Sequence, residues 1–197
     1  MPPKTRFTRD EVILAALDCV RAGGAASLTA RALAERLGCS PKPIFGLFAN
    51  MEEVQRETMR AARQLYHDRT VQEVASGAYP AYKATGMAYI RFAMEERELF
   101  RWLFMRDRTG EPAEEESIDG LVELISRSTG IDAEQARLFH LEMWVYVHGI
   151  AAMIATGYLS WDMELASRSV TDCYFGLKSR FLREEKDDGS NQSSGTV

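Results

Sequence analysis

The residues best suited to chemistry fall into two groups. In LTARALAERLGCSPKPIFGLF, Leu28 to Phe48, the hydroxyls of Thr29 and Ser40 and the cations Arg31 and Lys42 stand at the openings of two short helical segments. Hydroxyls, guanidinium and ammonium groups, and the free N–H groups of a helix start, are what hold phosphate oxygens. The second group is apolar and aromatic: Tyr89, Phe92, Phe104 and Met105, then Trp144 and His148 on one later helix. Such side chains line pockets for apolar or aromatic ligands, with a few polar groups to orient them. Each of them also serves as core packing, the commoner role for any one alone. His140, Trp144 and His148 recur at i, i+4, i+8, but two His eight residues apart are about 12 Å apart along a helix, too far to share one metal. No Cys or carboxylate completes a chelate, and no nucleophile, base and orienting group stand at a catalytic spacing. The runs Glu95-Glu96-Arg97-Glu98 and Glu114-Glu115-Glu116 read as solvated surface and helix starts. The expectation is therefore no enzyme, no metal and no cofactor.

Elements that position these groups follow from period and capping. A helix from Arg9 to about Ala22 carries Ile13, Ala16, Leu17 and Val20 at i, i+3, i+4, i+7, and Gly23-Gly24 ends it. Thr29 N-caps a second helix with Leu33, Ala34 and Leu37 inward, and Gly38 supplies the left-handed residue at its end. Ser40 N-caps a third, with Pro41 at the first helical position and Pro43 in the first turn, where a missing N–H costs little. Two helices across a tight turn make a helix-turn-helix, although on geometry alone an ordinary helical hairpin reads the same. Asn50, with Glu53 at the capping-box position, opens a long helix to about Ala75.

Beyond the break at Gly77 to Pro80, a segment to Met105 is rich in aromatics and Met. A charged loop from Arg106 to Glu116 precedes a helix with Ile118, Leu121, Val122 and Ile125. Asp132 and Gln135 cap a long helix through Ala155, and Ser160 to about Leu182 forms the last, with Met163, Ala166, Val170, Cys173, Leu177 and Phe181 on one face. The pattern predicts an all-α chain of about nine helices: a helix-turn-helix head over 1–49, a helical body over 50–183, and a polar, disordered tail over 184–197.

Composition bounds the function. With 197 residues and 46% hydrophobic content the chain can bury a real core, and its formal charge of −5 excludes wholesale coating of nucleic acid. The charge is uneven: through Asn50 seven Lys/Arg face four acids, a net +3, leaving −8 for the rest. A small basic head on an acidic body suits a DNA-binding module joined to a different unit. Cys19, Cys39 and Cys173 form no CxxC pair and read as reduced thiols of a cytoplasmic protein. Met143 to Trp161 lacks any Asp, Glu, Lys or Arg, yet His148, Gly149, Thr156 and Gly157 interrupt it, so a helix buried in a bundle or subunit interface is expected and no membrane.

Residues 12 to 54, VILAALDCVRAGGAASLTARALAERLGCSPKPIFGLFANMEEV, resemble the N-terminal DNA-binding domain of the tetracycline-repressor (TetR) family of bacterial regulators. The aromatic segment RFAMEERELFRWLF, followed by WVYVHG with Trp144, His148 and Gly149, resembles the ligand-binding C-terminal domain named for its Trp-His-Gly pattern. The resemblance implies a homodimer, joined through the last two long helices, whose heads enter successive major grooves of a palindromic operator. A small, largely apolar effector in the body then releases the DNA, most often as a repressor. It matches Thr29, Arg31 and Ser40 to positions that meet phosphates; Lys42, Pro43 and Phe45 on the same segment, with Lys4 and Arg6 on the basic arm, are the further candidates for DNA contact, and Tyr89, Phe92, Phe104, Met105, Trp144 and His148 are those for ligand contact. Where the family has Gly-Thr-Leu-Tyr this chain has Lys42-Pro43-Ile44-Phe45, and Leu47 and Met51 stand where a His and a Lys are usual. Those departures shift the burden of phosphate contact to Lys42, to backbone N–H groups and to the arm. The alternative reading is a helical-bundle interaction protein without sequence-specific DNA binding.

Overall fold

The computed structural model describes residues 7–109 and 118–192. Lys4, Arg6, the Glu114–Glu116 run and the end of the expected tail lie outside the described residues. Among these residues there are eight α-helices, two short 3-10 turns and no strand: α1 Arg9–Gly23, α2 Ala30–Arg36, α3 Met51–Ser76, α4 Ala81–Glu95, α5 Arg97–Phe104, α6 Asp119–Thr129, α7 Ala133–Ala155 and α8 Met163–Gln192. Packing divides the chain into two compact units. The first runs to Val71 and takes in Phe92–Arg108; the second comprises Gln72–Arg91 and the chain from Thr109 onward. This division cuts α3 and α4, whereas composition divides the chain at Asn50.

In the first unit the starts of α1, α2 and α3 are each fixed by a local polar bond. Thr8 and Glu11 form a capping box on α1, with the Thr8 N–H donating to Glu11 Oε2 at 2.7 Å. Val12, Ala16, Leu17, Cys19 and Val20 are buried, a face turned slightly from the expected stripe, in which Ile13 is only half-buried. Gly24, at φ +74°, ends α1 in a conformation that favours glycine. The Thr29 hydroxyl accepts from the Ala32 N–H at 3.2 Å, and Leu33 and Ala34 turn inward as expected. Asn50 Oδ1 accepts from the Glu53 N–H at 2.8 Å, while Glu53 reaches back to the Ala49 N–H at 2.6 Å.

The segment after Gly38 departs from expectation. No regular helix begins at Ser40; the chain from Pro41 to Phe48 winds through a single 3-10 turn at Ile44–Gly46. Its bonds are mixed: the Ile44 and Phe45 N–H groups both donate to Pro41 O, Gly46 N–H to Lys42 O and Pro43 O, and Phe48 N–H to Ile44 O. Pro41 and Pro43 have no N–H, so this first turn offers few donors for Ser40 to cap. Ile44 and Phe48 are nonetheless buried, which holds the segment on the core.

In the second unit, Asp132 and Gln135 form the expected capping box on α7. α8 is capped by Asp162, whose Oδ1 accepts from the Leu165 N–H at 2.8 Å, and runs through Gln192, past the end near Leu182 that its apolar stripe suggests. α6 packs on α7 and α7 on α8. At Gly86 a Cβ would meet Val147 Cγ2 at 3.4 Å, so α4 and α7 approach closely there. α7 is long and apolar enough to cross a membrane, with a mean hydropathy of 1.4 over its richest window, 39% of which is buried.

Candidate functional site

The cations of the first unit divide into those that are spent and those that are not. Arg9 donates to Leu47 O at 2.5 Å and to Glu53 at 2.8 Å, with its guanidinium 4.1 Å over the Phe48 ring. It ties the start of α1 to the start of α3 as a strut. Arg36 reaches Asp18 at 3.3 Å, and Arg21 bonds Asp18 and Glu96. Arg31 and Lys42 are exposed and have no carboxylate partner among the described residues. Thr29 and Ser40 are exposed beside them in sequence, Pro43 is half-buried, and Phe45 leaves 43% of its surface in solvent. An exposed ring on the same segment as the exposed Lys42 is able to meet the apolar edge of a base while such cations meet phosphates.

The six candidate ligand residues separate into two clusters. In the first unit Phe92 and Phe104 both pack edge-on against Tyr66, at centroid distances of 5.4 Å and 5.2 Å, and Phe104 also meets Phe100 at 5.2 Å. Met105, at the end of α5, is exposed. Tyr66 lies on α3, outside the aromatic-rich segment, so the sequence offered no reason to pair it with Phe92. Phe92 is fully buried, which makes it core. Phe92→Ala is expected to cost about 3–5 kcal/mol of stability, read as a fall in the urea midpoint at unchanged m-value. A loss under 1 kcal/mol would return Phe92 to a cavity wall.

In the second unit Tyr89, Trp144 and His148 come together. The Tyr89 hydroxyl and His148 Nδ1 are 2.8 Å apart, a hydrogen bond whose direction follows the imidazole tautomer, and Trp144 stacks on His148 at 5.2 Å with 16° between planes. Trp144 keeps 48% of its surface exposed. A second pair that sequence reasoning missed repeats the motif: Tyr82 OH lies 3.1 Å from His140 Nδ1. Burial pushes the Tyr82 phenol well above its ordinary range.

Desolvation holds both imidazoles below the usual histidine pKa. As pH falls through about 6.5 the unfolded chain takes up protons that the folded chain accepts only at lower pH, so these residues lose stability on acidification. The His140→Gln, His148→Gln double variant is expected to flatten the decline of the urea midpoint from about pH 7.5 to 5.5. A decline as steep as that of the unchanged protein would assign the loss to other groups.

One sequence reading is overturned here. Glu96, taken as solvated surface, is only 8% exposed and accepts from Arg21 and Arg69. Beside it lies a polar cleft of about 620 Å³ lined by Arg21, Gly23, Glu95, Glu98 and Arg101, away from the apolar candidates in sequence and in chemistry. Among the described residues no group of three or more His, Cys, Asp or Glu is arranged to hold a metal.

Residues 82–173 match the family model described as tetracyclin repressor-like, C-terminal domain. No curated protein matches the chain. Among solved structures, a member of the TetR family from Streptomyces coelicolor A3 is similar at a TM-score of 0.57 and 18% identity, over 84% of this chain and 96% of that one. At that identity the likeness is one of fold. Residues 82–173 thus carry a tetracyclin repressor-like C-terminal domain, in a chain whose fold over most of its length is similar to that of a TetR-family member.

Proposed function

We propose that this regulator binds a palindromic operator as a homodimer in the cytoplasm, represses transcription there, and is released by a small, largely apolar effector. The observation that carries the reading is the pair of unneutralised, exposed cations, Arg31 and Lys42, on a unit whose cations Arg9, Arg21 and Arg36 are all committed to carboxylates. Thr29, Ser40, Pro43 and Phe45 complete the contact surface, and Lys4 and Arg6 add phosphate contacts from the arm.

Dimerisation is supported by α7, which exposes Leu138, Leu141 and Val145 at i, i+3, i+7, and by α8, which exposes Leu165 and Phe175. Gly149 and Gly176 leave open space beside them, so a second copy has room to approach closely. For the effector, exposed Trp144 offers a stacking face and His148 a polar group beside it. Release requires that the effector bind the DNA-incompetent state more tightly than the competent one.

Selecting bound fragments from genomic DNA with the whole chain tests the reading. Enrichment of a palindrome with half-sites about one helical turn apart is expected. Enrichment with no shared sequence would favour a helical-bundle interaction protein that uses its exposed α7 face on another partner.

A further inference from the structure

We propose that Glu96 is a positioning residue for the helix-turn-helix, fixing α1 against α3 in the pose that DNA binding requires; the DNA part rests on the function proposed above. Glu96 sits at the break between α4 and α5, at φ −120° and ψ 49°. Its carboxylate accepts from Arg21 Nε at 2.8 Å, Arg21 Nη2 at 2.9 Å and Arg69 Nη2 at 2.9 Å. Arg21 is in the last turn of α1 and Arg69 is on α3, so one buried charge joins three elements.

Two features make this a joint and not a surface pair. The Arg21 contact is a fork, with two N–H groups meeting two oxygens, which fixes direction as well as distance. The carboxylate is removed from water at 8% exposure, so its charge depends on these two arginines for compensation, and the loss of both would strand it. Neighbouring residues tighten the same joint. Glu95 accepts from Arg69 Nη1 at 2.6 Å, and at Gly24, at φ +74°, a Cβ would stand 3.0 Å from Glu98 Oε2. α1 in turn supplies the buried Val12, Ala16 and Val20 of the core over which α2 and the Pro41–Phe48 segment lie. An α1 released at its C-terminal end loses its fixed orientation without losing that core.

The test uses the whole chain as wild type, Glu96→Gln, Arg21→Lys and the double variant. Hydrogen exchange of α1 amides is read against α7, and operator affinity is read at several salt concentrations. Each single change is expected to speed α1 exchange and weaken operator binding by about tenfold, with α7 unchanged and the double variant no worse than Glu96→Gln. The salt slope stays that of wild type, because no phosphate contact is lost. Unchanged α1 exchange, additive effects, or affinity within about twofold of wild type despite faster exchange overturns the assignment. If Glu96→Gln does not fold, Arg21→Lys decides, since Arg69 still pairs with Glu96. If wild type binds no operator, the DNA reading falls and α1 exchange alone decides the positioning role.

Discussion

Arg31→Ala and Lys42→Ala combined are expected to lower operator affinity roughly a hundredfold and to reduce the slope of log affinity against log salt by about 2. Each cation is exposed and has no carboxylate partner among the described residues, so nothing in the fold is lost with it. The melting temperature should therefore move by no more than about a degree, as for a surface change. Lys42→Ala alone should weaken binding several-fold. The resemblance puts Phe45, Leu47 and Met51 where a Tyr, a His and a Lys are usual, so on the function proposed above each remaining phosphate contact accounts for a larger share of binding. Anisotropy titration of a labelled operator measures both quantities. Unchanged affinity in the double variant would remove both residues from the contact surface.

Leu141→Glu with Val145→Glu is expected to convert the protein to a monomer and to cost operator affinity between a hundred- and ten-thousandfold. That range is the gain from linking two half-site contacts in one molecule. The two residues are 54% and 58% exposed on α7, so a carboxylate at either position meets solvent in the isolated chain and the helix should survive. In a dimer the same carboxylates face an apolar surface and lose their hydration. Sedimentation velocity reads the assembly, and circular dichroism confirms that helix content is retained. A variant that remains dimeric would place the interface elsewhere than on this stripe.

Helices whose starts are set by neighbours in sequence were legible in the chain itself. Asn50 with Glu53 and Asp132 with Gln135 are local pairs, and α3 and α7 begin where those pairs place them. Thr8 with Glu11 is an equally local pair at the start of α1 that the sequence reading missed. The segment after Gly38 was misjudged because each proline suits a helix start separately, whereas two in one turn leave it short of donors. Glu96 was misread for a different reason. Its partners lie 75 and 27 residues away, and a Glu-Glu-Arg-Glu run is indistinguishable from surface until the fold brings Arg21 and Arg69 to it. The aromatics show the same limit. Hydrophobic spacing marks Phe92 and Trp144 alike as apolar, and only packing shows that Phe92 is sealed in core while Trp144 faces solvent beside His148.

Titrating the whole chain against its selected palindrome and against a shuffled duplex of the same composition tests sequence-specific DNA recognition most directly. The palindrome should bind at least about a thousandfold more tightly, with both affinities falling as salt rises. Equal affinity for the two duplexes would contradict operator recognition by this protein.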